Sequence, residues 1–210
     1  MDGVLVDSER AWGNEEHLLL ENMFGRDIAD KVGQTLGVSI QTTFEKAKHL
    51  GASISYDNYI GRYDEAALKI LARGALTPRC DVLVSWLTGH GYRIGLVSSS
   101  PRKWIDQVLA RLSFADSFDH IESVFEHPEL RPKPAPDGYI DACRELGAVP
   151  KNTVVLEDSN PGIASAKAAG CYTIGFRGNL TDGYEPLGAD AYADTMDDVI
   201  KLVDDVSFPT

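Results

Sequence analysis

Residues 1–8, Met1-Asp2-Gly3-Val4-Leu5-Val6-Asp7-Ser8, decide how the rest of the chain is interpreted. An acidic residue and a glycine precede three apolar residues, and Asp-Ser follows them. This order is typical of a strand that ends in a tight loop and exposes a carboxylate. Asp-Gly is also a common turn dipeptide, and short motifs produce false matches. The remaining chain must therefore supply the partners of any functional carboxylate.

The composition is typical of a soluble globular protein with one large or two small domains. The 210 residues are 43% hydrophobic and 25% charged, which is ordinary for such proteins. No run of about 18 apolar residues is found, and the first residues lack the pattern of a signal peptide. We therefore expect a cytoplasmic protein. Three cysteines far apart in the sequence, Cys80, Cys143 and Cys171, indicate buried thiols in a reducing compartment.

The charge balance limits the classes of partner that the protein is expected to bind. The chain has 20 basic and 32 acidic residues, with a formal net charge of −12. Such a charge opposes binding to polyanions, because few cations are present to replace the counterions of a phosphate backbone. We expect neither nucleic acid nor a membrane as a partner. A phosphorylated ligand would have to bind where the few basic residues are concentrated, and the oligomeric state cannot be predicted.

The chain has two parts that differ in the spacing of their apolar residues. Apolar residues recur at helical spacing from residue 10 to about 76, which predicts three or four amphipathic helices with breaks at glycines. From residue 78 onward, short apolar strands alternate with helices. The predicted strands cover residues 92–97, 121–125, 153–156 and 171–176. Continuous apolar strands between helices are typical of a parallel sheet that is covered on both faces.

The pattern predicts an α/β fold with a Rossmann-like parallel sheet and an inserted helical cap. Residues 1–9 and 78–210 would form the discontinuous core, and residues 10–77 the cap. We expect residues 1–8 to belong to the same parallel sheet. In open sheets of this kind, ligands bind outside the carboxyl ends of the strands. The residues that directly follow each strand are therefore the candidates for the site.

Polar residues follow two of these predicted strands, as they follow the apolar residues of the first octapeptide. Ser98, Ser99 and Ser100 follow one strand, and Glu157 and Asp158 follow another. Lys133 stands among prolines just before a predicted helix. Each group alone is explained by helix capping or by an exposed loop. Together with the acids of residues 1–8, they supply acids for Mg²⁺, hydroxyls and amides for phosphate oxygens, and a cation to offset negative charge.

These residues resemble the haloacid dehalogenase (HAD) superfamily, and within it the phosphatases and β-phosphoglucomutase-like proteins with a helical cap. Four stretches match its motifs in order across nearly the whole chain: residues 2–9, 97–100, 133–137 and 156–162. Four ordered motifs at compatible spacing are far more specific than any one of them. The resemblance implies a HAD-like core and a phosphoric monoester hydrolase that uses Mg²⁺.

The resemblance also implies a role for each matching residue. Asp2 would be the general acid and base, and its backbone carbonyl would bind Mg²⁺. Ser98, with the amide of Ser99, would bind the phosphoryl group, and Lys133 would pair with the nucleophile and the phosphate. Asp158, with Glu157 directly or through water, would hold the metal.

One feature departs from the family pattern. The first motif of the family reads Asp-x-Asp-Gly, and its first Asp forms the aspartyl phosphate. Met1 stands at the x position, so we expect the nucleophile and its strand to lie just upstream of residue 1. If the chain is truly truncated, we expect a non-catalytic relative that binds metal and phosphate.

The resemblance favours a phosphatase of small phosphorylated metabolites, with sugar phosphates as the expected class. Asp2 argues against a dehalogenase, because that reaction needs no acid for the leaving group. A β-phosphoglucomutase-type phosphosugar mutase is the alternative, although Trp12 stands where such mutases have a cap histidine. Trp12, Gln34 and Thr35 are the predicted substrate-facing residues of the cap.

Overall fold

The computed structural model describes residues 1–33, 35, 38–180 and 183–206. Gln34, predicted to face the substrate, lies outside the described residues. Across the described ranges, none of the helices combines the length and the apolar character that crossing a bilayer requires.

Within its described residues, the predicted helical segment contains four helices. They are α1 (Glu9–Phe24), α2 (Arg26–Val32), α3 (Ile40–His49) and α4 (Tyr56–Arg73). The hydroxyls of Ser39 and Ser55 accept hydrogen bonds from backbone amides at the starts of α3 and α4, which satisfies donors that have no partner within the helix. Gly25 has a φ of 82° and separates α1 from α2. The predicted helices are thereby confirmed.

The first residues form a turn and not a strand of the parallel sheet. Gly3 has a φ of 66°, a value that glycine adopts without strain, and the Leu5 amide donates to the Met1 carbonyl at 2.8 Å. The chain then enters β1 (Val6–Asp7), which pairs antiparallel with β2 (Ala75–Leu76). The expectation that residues 1–8 join the parallel sheet is therefore wrong. The turn at Gly3 redirects the chain toward the segment that returns after α4.

The remaining chain alternates helices with parallel strands, as predicted. The elements are α5 (Cys80–Gly89), β3 (Gly95–Ser98), α6 (Arg102–Leu109), β4 (His120–Ser123), α7 (Asp137–Glu145), β5 (Val154–Glu157), α8 (Asn160–Ala169), β6 (Tyr172–Phe176), β7 (Ala191–Ala193) and α9 (Met196–Asp205). β3 pairs with β4, and β5, β6 and β7 form a second parallel sheet. The α/β class is confirmed. The division into a core and a cap at residues 9/10 and 77/78 stays a prediction.

A cavity of about 540 Å³ lies between the two parallel sheets. Residues of β3 and β5 line it together, and apolar side chains of α5, α7 and α9 cover it, among them Leu83, Cys143 and Val199. Within the described ranges, β3 has only β4 as a paired strand, and β5 has only β6. The edges of β3 and β5 that line this cavity are therefore unpaired within the described ranges, and the side chains that cover the cavity are mostly apolar, as they are around a strand of a parallel sheet.

Asn179 fixes the turn of residues 1–5 against the end of the cap segment. Its side-chain amide donates to the Gly3 carbonyl at 3.1 Å and to the Thr77 hydroxyl at 2.5 Å, and Asn179 is buried. A buried carbonyl that loses its donor keeps its full desolvation cost.

We expect Asn179→Ala to lower the free energy of unfolding by about 1–3 kcal/mol, because the Gly3 carbonyl and the Thr77 hydroxyl both lose a partner. Urea denaturation followed by circular dichroism measures this change. The matched control is the exposed Asn152, whose replacement by Ala should change stability by less than about 0.5 kcal/mol. Equal stability of the two variants would contradict the assigned role of Asn179.

Candidate active site

Most of the predicted site residues line one cavity of about 130 Å³. Eight of the nine line it: Asp2, Trp12, Thr35, Ser98, Ser99, Lys133, Glu157 and Asp158. The ninth, Gln34, lies outside the described residues. The turn before β1, the ends of β3 and β5, the loop before α7 and the cap helices all contribute side chains. The juxtaposition expected at the carboxyl ends of the strands is therefore present, while the role of each residue stays a prediction.

Two hydroxyls hold the Asp2 carboxylate. Ser8 donates to Oδ1 at 2.7 Å, and Ser100 donates to Oδ2 at 3.1 Å. Ser100 comes from the loop after β3, so this bond joins the turn before β1 to the phosphate-binding loop predicted from the sequence. Each Asp2 oxygen thus has a donor that fixes its direction.

The serine loop after β3 is itself ordered by side-chain hydrogen bonds. The Ser98 hydroxyl accepts from the Ser100 amide at 3.1 Å, and the Ser123 hydroxyl donates to the Ser100 carbonyl at 2.8 Å. Ser98 is buried, and Ser98 and Ser99 line the cavity. A short loop of hydroxyls and amides held in this way is suited to bind the oxygens of a phosphoryl group.

Lys133 and Glu157 form a buried ion pair. The Lys133 ammonium donates to Oε1 of Glu157, which also accepts from the Tyr139 hydroxyl at 2.6 Å. The Lys133 ammonium also lies 5.0 Å from the centroid of the Tyr139 ring. Tyr139 lies on the buried face of α7 and was missed as a functional residue, because its helical spacing is that of a core residue.

The electrostatics of this pair are set by burial and by the lysine. Burial acts to raise the pKa of Glu157, but the Lys133 charge and the hydrogen bonds outweigh it and hold the pKa at about 2. The other carboxylate oxygen, Oε2, accepts from the Asp158 amide at 3.2 Å and from the Ser159 hydroxyl at 3.2 Å. Glu157 is therefore an ionised anchor that positions both Lys133 and the loop after β5.

Asp158 is a buried carboxyl in a negative environment. Burial, and then the charge of Glu157, raise the pKa of Asp158 to about 7. A Cβ atom on Gly3 would overlap the Asp158 carboxylate, so this carboxylate packs directly on the backbone next to Asp2. Glycine is required at that position by the close approach as well as by its positive φ.

The donor set at Asp2 and Asp158 fits a hard divalent cation. Within the described ranges, no group of three acidic, histidine or cysteine side chains is arranged to hold a metal alone. Mg²⁺ does not need such a group, because it is usually bound by one or two carboxylates together with waters and substrate phosphate. The buried Asp158 carboxylate, whose pKa is raised by burial, would be stabilised in its ionised form by a nearby cation. The residues present thus fit Mg²⁺.

The cap wall of the cavity combines aromatic and acidic side chains. Trp12 stacks on Tyr63 with ring centroids 5.8 Å apart and lies 6.0 Å from Trp104. Glu16 also lines the cavity and was missed by sequence reasoning. It follows Trp12 by four residues on α1, so the same helical face that predicts a role for Trp12 points to Glu16 as well.

The chain matches a known family over most of its length. The family model described as haloacid dehalogenase-like hydrolase matches residues 1–176. Hexitol phosphatase B of Escherichia coli K12 is 31% identical over 174 residues, which cover 80% of this chain and 77% of that protein. The phosphorylated carbohydrates phosphatase of Thermotoga maritima is 27% identical over 196 residues, which cover 92% and 90% of the two chains.

Solved structures support the same fold. The crystal structure of a HAD hydrolase from Entamoeba histolytica superimposes with a TM-score of 0.74 at 19% identity, covering 97% of this chain and 95% of that chain. The β-phosphoglucomutase of Clostridium difficile superimposes with a TM-score of 0.71 at 19% identity, covering 97% and 92%. At such identities the likeness concerns the fold alone.

Proposed function

The chain belongs to the haloacid dehalogenase-like hydrolase family, and from that premise we propose that it is a magnesium-dependent phosphatase of small phosphorylated metabolites. The observation that carries the proposal is the convergence of Asp2, Ser98, Lys133 and Asp158 on one cavity. These residues supply an acid, a phosphate-binding hydroxyl, a cation and a metal-binding carboxylate. Phosphoryl transfer depends on this combination of positioning and charge stabilisation.

Each residue has a defined role in the proposed reaction. Ser98 and the neighbouring amides would bind the phosphoryl oxygens, and Lys133 would offset their charge. Asp2, oriented by Ser8 and Ser100, would protonate the leaving oxygen and then accept a proton from the attacking water. Asp158 would hold Mg²⁺ together with Asp2, and Glu157 would act on the metal through water. When bound, Mg²⁺ neutralises part of the phosphoryl charge.

We propose that the nucleophile is an aspartate just upstream of Met1, at the end of a strand that lies between β3 and β5. The cavity of about 540 Å³ between these strands supports the proposal. It is apolar, it is lined by both strand edges, and Met1 lines both this cavity and the active-site cavity. A strand in this position would therefore end beside Asp2 and Lys133, where a carboxylate could form an aspartyl phosphate.

Sugar phosphates are the proposed substrate class. The names of the hexitol phosphatase and the phosphorylated carbohydrates phosphatase describe such substrates. The alternative is a phosphosugar mutase of the β-phosphoglucomutase type, whose fold this chain shares. Trp12 packs against Tyr63 and Trp104 at the position of the mutase histidine, and an indole cannot exchange protons as imidazole does. This packing favours the phosphatase.

In the chain extended upstream of Met1 by the proposed strand and aspartate, phosphate release from glucitol 6-phosphate should require Mg²⁺ and should stop on addition of EDTA. We expect Asp158→Asn to weaken Mg²⁺ binding at least about tenfold, since even partners of metal ligands contribute about 10- to 100-fold to affinity. Isothermal titration calorimetry measures the affinity, and a phosphate assay measures the turnover. The exposed Asp204 provides the control variant Asp204→Asn, which should bind Mg²⁺ like the unmodified chain. Unchanged Mg²⁺ affinity in Asp158→Asn would contradict the metal assignment.

A further inference from the structure

Glu16 is an acidic side chain on the cap wall that the proposed reaction does not use. It lies on α1 and lines the same cavity as Asp2, Ser98 and Lys133. The cavity therefore has a phosphate-binding end on the core side and a carboxyl group on the cap side. A phosphate ester bound at the core end would extend its organic part toward Glu16.

Two hydroxyls hold the Glu16 carboxyl in place. The Tyr63 hydroxyl donates to Oε1 at 2.5 Å, and the Thr35 hydroxyl donates to Oε2. Burial raises the pKa of Glu16, although both hydrogen bonds act to lower it. Tyr63 is itself buried on α4 and stacks on Trp12. The carboxyl is thus fixed by residues of α1, α4 and the segment before α3, and its direction does not depend on one flexible side chain.

A carboxylate with two donors still has acceptor capacity. Its two oxygens offer about four lone-pair sites, and the two hydroxyls use one site on each oxygen. A ligand hydroxyl in the cavity can occupy a remaining site, whereas a methyl or methylene group would exclude water from the carboxylate without replacing the hydrogen bond. Such an uncompensated polar group costs free energy.

Apolar and hydroxyl-bearing cap residues surround Glu16 in the cavity, the hydroxyls being those of Thr35, Ser39 and Tyr63. Trp12, Val38 and Ile40 line it beside Glu16, and these side chains contact a carbon chain but cannot accept hydrogen bonds. Among the described cap residues that line the cavity, Glu16 is therefore the one acidic group, and it lies between apolar side chains and hydroxyls. This arrangement can recognise a hydroxyl at one position of the substrate and accommodate the rest of the substrate's carbon chain.

We infer that Glu16, held by Tyr63 and Thr35, is the specificity-determining residue of the cap and accepts a hydrogen bond from a hydroxyl of the phosphate ester. Polyol and sugar phosphates are then preferred over phosphate esters of simple alcohols. The inference rests on the proposed function and refines its substrate class.

Binding measurements test the preference without interference from turnover. In residues 1–210, which the proposed mechanism leaves without its nucleophile, isothermal titration calorimetry with Mg²⁺ compares glucitol 6-phosphate with ethyl phosphate, an ester without a free hydroxyl. We expect the polyol ester to bind at least about tenfold more tightly, as for a hydrogen bond to a charged group. Adding Glu16→Gln should remove most of this preference and leave ethyl phosphate binding unchanged. Glu15→Gln, on the exposed neighbouring residue, should keep the preference.

The ratio of the two affinities separates recognition from a structural role. Equal weakening of the binding of both esters by Glu16→Gln would assign Glu16 to cap folding and overturn the inference, as would equal binding of both esters to the chain with Glu16 intact. If Glu16→Gln does not fold, Tyr63→Phe replaces it, because it removes one donor from the carboxyl and should reduce the preference. Binding of neither ester to residues 1–210 with Mg²⁺ present would instead overturn the proposed function, and with it this inference.

Discussion

A strand of four β-branched apolar residues followed by aspartate, added directly before Met1, is expected to make the protein both more stable and catalytically active. The added strand would fill the cavity of about 540 Å³ between β3 and β5 and pair with both strand edges. Each new ladder hydrogen bond contributes about 0.5–1.5 kcal/mol, and each apolar side chain that becomes buried about 1.5–3 kcal/mol. The aspartate would lie beside Asp2 and Lys133 as the nucleophile.

Stability and activity can be separated by one matched control. The same extension with asparagine in place of aspartate should raise the urea midpoint equally, because it fills the same cavity, but should not release phosphate from glucitol 6-phosphate. Only the aspartate version should accumulate a phosphorylated enzyme, which intact mass spectrometry after acid quenching detects. Stabilisation without turnover in the aspartate version would contradict the proposed mechanism. An extension that gives no stabilisation would show that the cavity does not accept a strand.

The positions of the core site residues follow from sequence, because they depend on a general property of parallel sheets. Polar residues at the carboxyl ends of apolar strands lie at one edge of the sheet, so Ser98 and Asp158 could be placed together without coordinates. Lys133 follows from its motif and not from strand geometry. The helices of the cap segment can also be predicted from the sequence, since their apolar residues recur at helical spacing.

The remaining features depend on long-range contacts that local patterns do not encode. The pairing of β1 with β2 joins residues 6 and 76, and the turn at Gly3 that permits it looks like any Asp-Gly turn. Tyr139 has the helical spacing of a core residue, and only the structure shows its hydroxyl on Glu157. From the sequence alone, Glu16 is interpreted as a solvent-exposed acid on an amphipathic helix. Only the structure shows that the Tyr63 and Thr35 hydroxyls donate hydrogen bonds to its carboxylate.

In the chain extended by the upstream strand and aspartate, Lys133→Met is expected to abolish turnover and to destabilise the protein by about 3–5 kcal/mol, the usual effect of removing one partner of a buried ion pair. The side chains of Lys133 and Glu157 are only 11% and 6% exposed. Methionine keeps most of the volume but leaves the Glu157 carboxylate without its cation. The thermal midpoint should fall by roughly 10 °C or more, and phosphate binding should weaken because the cation is lost.

The double variant Lys133→Met/Glu157→Gln separates the two effects of the lysine. It removes the unpaired carboxylate, and the glutamine can still accept from the Tyr139 hydroxyl, so calorimetry should show most of the lost stability recovered. Phosphate release should stay absent, because the cation that offsets the phosphoryl charge is still missing. Recovery of turnover together with stability would mean that Lys133 serves only to neutralise Glu157. Recovery of neither would mean that the lysine supports the loop before α7 through contacts other than this ion pair.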